Sequence, residues 1–299
     1  MRTSPSLHHL RPIPAIDFAT LSIIVFLLLL SVLSLFRILH LRLKSQSSHH
    51  LRRFNNLWTL RLLLVFFVSC WAVNQILRLP FIGESLLLLL PLHLQLHSDL
   101  CKFHVLLSLG VFEPGFLVTI LHLINLSIKN RIPPEKPEKW SMLLVTLMIL
   151  PTFILQIIIL FLTTPLMEKL PSEMTRTRLL YVDSYGKKMI ICTYPLLSSI
   201  VFCGFAIVYS LGLLVACWRV VALVINKNVK VRINVLGVVV MVALFVQAVM
   251  LGAEGLWMPE NVGGGMVSLG MFLSVAVCAV VGEILLVIKP IMEALETHK

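Results

Sequence analysis

Residues 16–36 read IDFATLSIIVFLLLLSVLSLF, and that stretch decides the fold. An α-helix rises about 1.5 Å per residue, so about 20 apolar residues cover the roughly 30 Å hydrocarbon core of a bilayer. Six more stretches of the same character follow, at 57–77, 103–126, 141–163, 189–216, 233–253 and 266–288. Inside lipid every backbone N–H and C=O must be paired within its own segment, so each is read as a helix. The expected fold is all-α, a polytopic seven-transmembrane helix bundle forming a single domain over residues 1–299.

Composition agrees. The chain is 58% hydrophobic and 13% charged, about half the charged fraction of a soluble domain. A net charge of +11 is explained by flanking Lys and Arg that orient the spans and meet anionic lipid, so no nucleic-acid partner is expected. Arg37, Arg42 and Lys44 follow the first apolar run, with no small-x-small cleavage site, so that run is read as an uncleaved span rather than a secretory signal. Of six cysteines, Cys70, Cys203, Cys217 and Cys278 lie inside apolar segments, where they behave as small hydrophobes. Cys217, beside Trp218 and Arg219, is a weak lipidation candidate. No pair has metal spacing, and no cofactor is implied.

Basic residues orient the set. Arg37, Arg42, Lys44, Arg52 and Arg53 lie between spans 1 and 2, and Lys129, Arg131, Lys136 and Lys139 between spans 3 and 4. Arg219, Lys227, Lys230 and Arg232 lie between spans 5 and 6, with Lys289 and Lys299 in the tail. The other side carries Arg2, Arg11, Arg78, Lys102, Lys169, Arg176, Arg178, Lys187 and Lys188, nine against 15. Positive loops stay in the cytoplasm, so the N-terminus is expected outside and the C-terminus inside. The Leu-rich run Ser85–His97, interrupted by Pro91, is too short to cross and reads as interfacial or re-entrant. The sequon Asn125-Leu126-Ser127 falls at the cytoplasmic end of span 3, where no glycan is added. Seven spans do not halve, and no internal repeat is evident, which argues against a transporter built by duplication.

Ionisable side chains within spans are the best functional leads, because a charge at the centre of a span costs about 2.5–3.5 kcal/mol on insertion scales. Glu113 lies near the middle of span 3, within Gly110-Val111-Phe112-Glu113-Pro114-Gly115. A carboxyl beside a helix-disturbing Pro114 suits a ligand, an ion, a proton or a hinge; a protonated Glu bonded between helices for structure is the alternative. By depth, Ser198 and Ser199 on span 5, Gln247 on span 6 and Gln156 on span 4 could line a pocket with it, or make ordinary interhelical hydrogen bonds. Arg61 and Glu283 lie about one turn from the cytoplasmic ends of spans 2 and 7; they suggest a helix lock, with snorkelling as the other reading. Pro114 and Pro195 are candidate hinges, and Pro151 is expected to kink span 4. Cys101 and Cys192 both fall near the outer face and are a candidate disulfide. Gly270, Ser274, Cys278 and Gly282 form a small-residue stripe on span 7, read as a packing face within the bundle.

No HExxH, GxSxG or P-loop pattern occurs, so no enzyme is expected. The rhodopsin-like receptors carry an acidic-Arg pair at the inner end of span 3, where this chain has His122-Leu123-Ile124-Asn125; span 6 (233–253) holds no Trp-x-Pro and span 7 no Asn-Pro-x-x-Tyr. The stretches Trp71-Ala72-Val73-Asn74-Gln75-Ile76-Leu77-Arg78-Leu79-Pro80 and Leu109-Gly110-Val111-Phe112-Glu113-Pro114-Gly115-Phe116 resemble uncharacterised plant seven-transmembrane proteins described as candidate G-protein-coupled receptors. That resemblance implies a plasma-membrane or endomembrane location and a role in signal transduction, and supplies no binding residues. The leading expectation is a receptor-like protein with a ligand pocket among spans 3, 5, 6 and 7. Loops 37–56 and 219–232 would face a cytoplasmic signalling protein. The rivals are a transporter or channel using the Glu113 carboxylate, and a structural membrane protein with no pocket.

Overall fold

The structure, a computed structural model, describes residues 13–45, 57–79, 94–129, 137–162, 174, 177–182, 188–256 and 262–296. Seven helices among these are long and apolar enough to cross a membrane. Helix α1 is Ile13–Ser45 and α2 is Trp58–Ile76. Helix α3 runs over 94–129 in three parts: Leu94–Leu107, a π turn at Ser108–Phe112, and Glu113–Lys129. Helix α4 is Pro137–Ile157, closing in a π turn at Ile158–Leu162. Helices α5 and α6 are Leu196–Leu223 and Lys227–Leu256. Helix α7 is Val262–Glu283, continuing through a π turn at Ile284–Ile288 into Lys289–Glu296.

Most helices outrun their apolar stretches, because flanking polar residues continue the same hydrogen-bond ladder into the interface. The leucine-rich run is partly absorbed this way: Leu94 onward is already α3, and residues 85–93 lie outside the described set, as do residues 46–56 of the first basic loop.

One departure from an all-helical chain lies between α4 and α5. Strands β1 (Arg178–Val182) and β2 (Lys188–Cys192) pair antiparallel, with Arg178 opposite Cys192 and Val182 opposite Lys188. Hydropathy alone merges Met189–Cys192 with span 5, but Pro195 separates the two. Its backbone is extended (φ −62°, ψ 140°) and it precedes the first residue of α5. Its carbonyl accepts both the backbone N–H and the Oγ of Ser199. Pro195 therefore starts a helix, where a missing N–H is harmless; it is not a bend within one, and the hinge expectation is corrected.

Packing runs α1–α2–α3 on one side and α5–α6–α7 on the other, with α7 closing against α1 and α3 touching α4 and α5. Val208 and Leu211 on α5 and Phe245 on α6 are exposed, whereas Gln156, Ser198 and Gln247 are buried. Apolar outside and polar inside reverses the order water would impose and suits lipid. The small residues of α7 face neighbours: a Cβ on Gly270 would stand 3.4 Å from Met250 of α6, and one on Gly282 3.2 Å from Ile120 of α3. At Gly237 of α6 the Sγ of Cys217 would lie 2.7 Å from an added Cβ, so that cysteine packs between α5 and α6.

Candidate functional site

The site is built on the irregularity in α3. Proline at 114 has no N–H to give the carbonyl of Gly110 four residues earlier. The helix answers with a π turn in which the Glu113 N–H reaches back five residues to the Ser108 carbonyl. Thr152 Oγ1 of α4 lies 3.4 Å from the Gly110 carbonyl, its shorter contact at 2.7 Å being to the Ile149 carbonyl of its own helix. The same arrangement recurs in α7, where the Lys289 N–H reaches the Ile284 carbonyl and Pro290 follows. In both helices the proline sits two residues beyond the π turn, so Pro114 marks a local widening of α3.

That widening turns Glu113 inward to meet two other helices. Its Oε1 accepts from Trp71 Nε1 of α2 at 3.1 Å and from Ser108 Oγ at 2.8 Å. Its Oε2 accepts from Gln247 Nε2 of α6. Ser108 Oγ in turn takes Gln75 Nε2 at 3.3 Å, and Tyr194 Oη lies 3.3 Å from it. Tyr194 Oη is 3.2 Å from His104 Nε2, while His104 Nδ1 faces the Asn74 carbonyl at 3.1 Å. Asn74 Nδ2 returns a bond to the His104 carbonyl. These eight residues are each at most 4% exposed. Apart from Asn74 Oδ1, which has no partner among the described residues, breaking any one of these bonds would leave a buried group unpaired at about 1–3 kcal/mol, so the cluster specifies how α2, α3 and α6 meet.

The outer rim of the cluster is charged. Arg78, just past α2, pairs with Glu254 of α6, and its guanidinium carbon lies 5.1 Å from the centre of the Tyr194 ring. Below, the Trp71 indole stacks on Phe272 of α7, centroids 5.5 Å apart. Beside the rim, Cys192 at the end of β2 is disulfide-bonded to Cys101 of α3. The hairpin is thus covalently tied to α3 one turn before His104, with Tyr194 two residues beyond the bridge.

Of the residues singled out by depth, only Gln247 reaches Glu113. Gln156 instead donates to the backbone carbonyl of Ser198 at 2.9 Å, Ser198 Oγ has no partner among the described residues, and Ser199 bonds back to Pro195. They form a separate α4–α5 contact. The expected lock is also different. Glu283 accepts Ser31 Oγ at 2.7 Å on one oxygen and Ser34 Oγ at 2.8 Å on the other. It joins α7 to α1 through the two serines, one turn apart on α1, rather than pairing with Arg61 of α2. Among the described residues no group of three or more His, Cys, Asp or Glu is placed to hold a metal ion.

Sequence reasoning missed the α2 half of the cluster. Trp71, Asn74, Gln75 and Arg78 are spaced i, i+3, i+4, i+7, the interval that puts residues on one helical face. That stripe was the signal available.

The model of one family, described as "Uncharacterised conserved protein UCP031277", matches residues 12–299. No curated protein and no solved structure matches the chain.

Proposed function

We propose that this chain, which belongs to that uncharacterised conserved family, is a receptor-like multi-pass membrane protein with its N-terminus outside and its C-terminus in the cytoplasm. Two independent features support the orientation. Basic residues gather at one end of the bundle, and the Cys101–Cys192 disulfide lies at the other, as expected if that end meets an oxidising compartment.

The observation that carries the signalling role is the Glu113 carboxylate holding α2 and α6 at once while Ser108 and Tyr194 link it to the hairpin end. A ligand that displaces the hairpin displaces Tyr194, and through Ser108 alters the hold on Gln247. Helix α6 begins at Lys227, inside the basic loop 219–232, so a change in its seating reaches the face offered to a cytoplasmic partner. A ligand favouring one seating shifts the population of both.

The test is guanine-nucleotide exchange on a cognate G protein by the purified chain in lipid nanodiscs. The wild-type chain is expected to accelerate exchange, and Glu113→Gln, which loosens α6, to change that basal rate. Exchange identical with and without either form refutes the reading.

One observation favours the transporter alternative: hydrogen bonds run unbroken from Glu113 to His104, toward the disulfide-bearing end. Liposomes loaded with a pH-sensitive dye separate the two, because proton flux abolished by Glu113→Gln belongs to a transporter.

A further inference from the structure

One ring nitrogen of His104 has its role fixed by its partner. Nδ1 faces the Asn74 carbonyl, which only accepts, so Nδ1 carries a proton. Nε2 is therefore the nitrogen that gains or loses one, and it faces Tyr194 Oη. Beyond it, Tyr194 faces Ser108, and Ser108 faces Glu113. Each hydroxyl has one proton and accepts on its other side, so it can point either way.

Two hydrogen arrangements satisfy every link. In the first, His104 is an imidazolium: Nε2–H donates to Tyr194, Tyr194 to Ser108, and Ser108 to an ionised Glu113. In the second, Glu113 is the acid and donates to Ser108, Ser108 to Tyr194, and Tyr194 to Nε2 of a neutral His104. Between them one proton crosses each hydrogen bond. The His104 N–H breaks as an O–H forms on Tyr194, the original Tyr194 proton passes to Ser108, and that of Ser108 passes to Glu113 Oε1. Atoms and charge balance, and no heavy atom changes partner. The flanking bonds from Gln75 to Ser108, and from Trp71 and Gln247 to Glu113, are compatible with both states.

We infer that His104, Tyr194, Ser108 and Glu113 form a proton wire along the inside of α3, delivering a proton from the disulfide-bearing end of the bundle to the α2–α3–α6 junction. Nine residues separate its ends, about 13 Å of helical rise. Among the described residues, the other charged or titratable groups that act on it are Arg78, just past α2 and paired with Glu254 of α6, and Cys278 of α7, which interacts electrostatically with Glu113. The Tyr194 links, 3.2 Å to the His104 nitrogen and 3.3 Å to the Ser108 hydroxyl, exceed the usual N···O and O···O hydrogen-bond lengths by about 0.2 Å and about 0.5 Å. Transfer therefore waits on Tyr194 closing on both neighbours, and a segment two residues past Cys192 controls that closure. The wire is independent of whether the chain signals or transports.

Infrared difference spectra across a pH titration of the full-length protein in nanodiscs read protonated carboxyls, and ¹⁵N NMR of labelled histidines reads the imidazolium. Glu113→Gln assigns the carboxyl band, and His104→Gln the imidazole signal. In the wild type both signals are expected to change together, in one step at a common pH. Tyr194→Phe keeps the ring but removes the hydroxyl, and Ser108→Ala cuts the next link. Either should split the step into two transitions at different pH, with the Trp71 indole N–H resonance retained as the check on folding. Separate transitions in the wild type, or a common step surviving in a folded cut variant, overturns the inference.

Discussion

Gly115→Ala is a demanding test of the helix arrangement because its cost follows from one contact. Gly115 of α3 lies against Phe67 of α2, and a Cβ there would stand 2.7, 2.8 and 2.9 Å from Cε1, Cδ1 and Cζ of that ring. Carbon atoms prefer about 3.5–4.0 Å, so ring or helix must yield by about 0.8 Å. Phe67 is buried and its ring is rigid, which leaves the helices to move apart. Overpacking of this kind costs about 1–3 kcal/mol. Trp71, one turn further along α2, holds Glu113 at 3.1 Å, and separating the helices stretches that bond too. The upper half of the range is therefore expected, together with disruption of the polar cluster. The assay is equilibrium unfolding in mixed micelles with increasing SDS, followed by tryptophan fluorescence. Gly204→Ala in α5 is the control: nothing lies within 4 Å of its added Cβ, so it should be neutral or stabilising by up to about 1 kcal/mol. Phe67→Ala combined with Gly115→Ala should lose less than the two single losses added together. Gly115→Ala matching the control, or strict additivity with Phe67→Ala, would refute the reasoning.

Three further outcomes are expected. Ser31→Ala or Ser34→Ala should each destabilise the α1–α7 contact by about 1–3 kcal/mol; a double-mutant cycle should couple each serine to Glu283 but show no coupling between Glu283 and Arg61. Reducing the Cys101–Cys192 bridge, which spans 91 residues of chain, should lower stability by up to about 4 kcal/mol. Alkylation of the denatured chain should label the four free cysteines before reduction and all six after it, and six labelled without reduction would contradict the bridge. Expression in a glycosylating cell should leave Asn125 unmodified, and a glycan there, read by mass spectrometry after deglycosidase treatment, would invert the orientation around α3.

The apolar stretches made the seven helices legible, since a 20-residue run without charge has few other uses. Depth along those runs also grouped Gln247, somewhat further out, with Glu113, and put Cys101 near Cys192. Depth says nothing about rotation around a helix axis, which is why Ser198, Ser199 and Gln156 were grouped with Glu113 yet belong to another contact. The same blindness paired Glu283 with Arg61 when Ser31 and Ser34 of α1 faced it. Hydropathy merged β2 with α5 because Met189-Ile190-Ile191-Cys192 is as apolar as a span; only Pro195 marked the break. Tyr194, uncharged and near the start of the 189–216 run, and Glu254, just past the 233–253 run, fall where a search confined to mid-span charges does not look. A π turn has no composition of its own, although Pro114 and Pro290 stand at the same offset from theirs.

The central claim, an odd number of crossings that sets the hairpin end outside and the 219–232 loop inside, is tested most directly by tagging both termini and probing intact cells with impermeant antibody. The N-terminal tag is expected to be labelled without permeabilisation and the C-terminal tag only after it. Labelling of both tags on intact cells, or of neither until permeabilisation, would contradict the account.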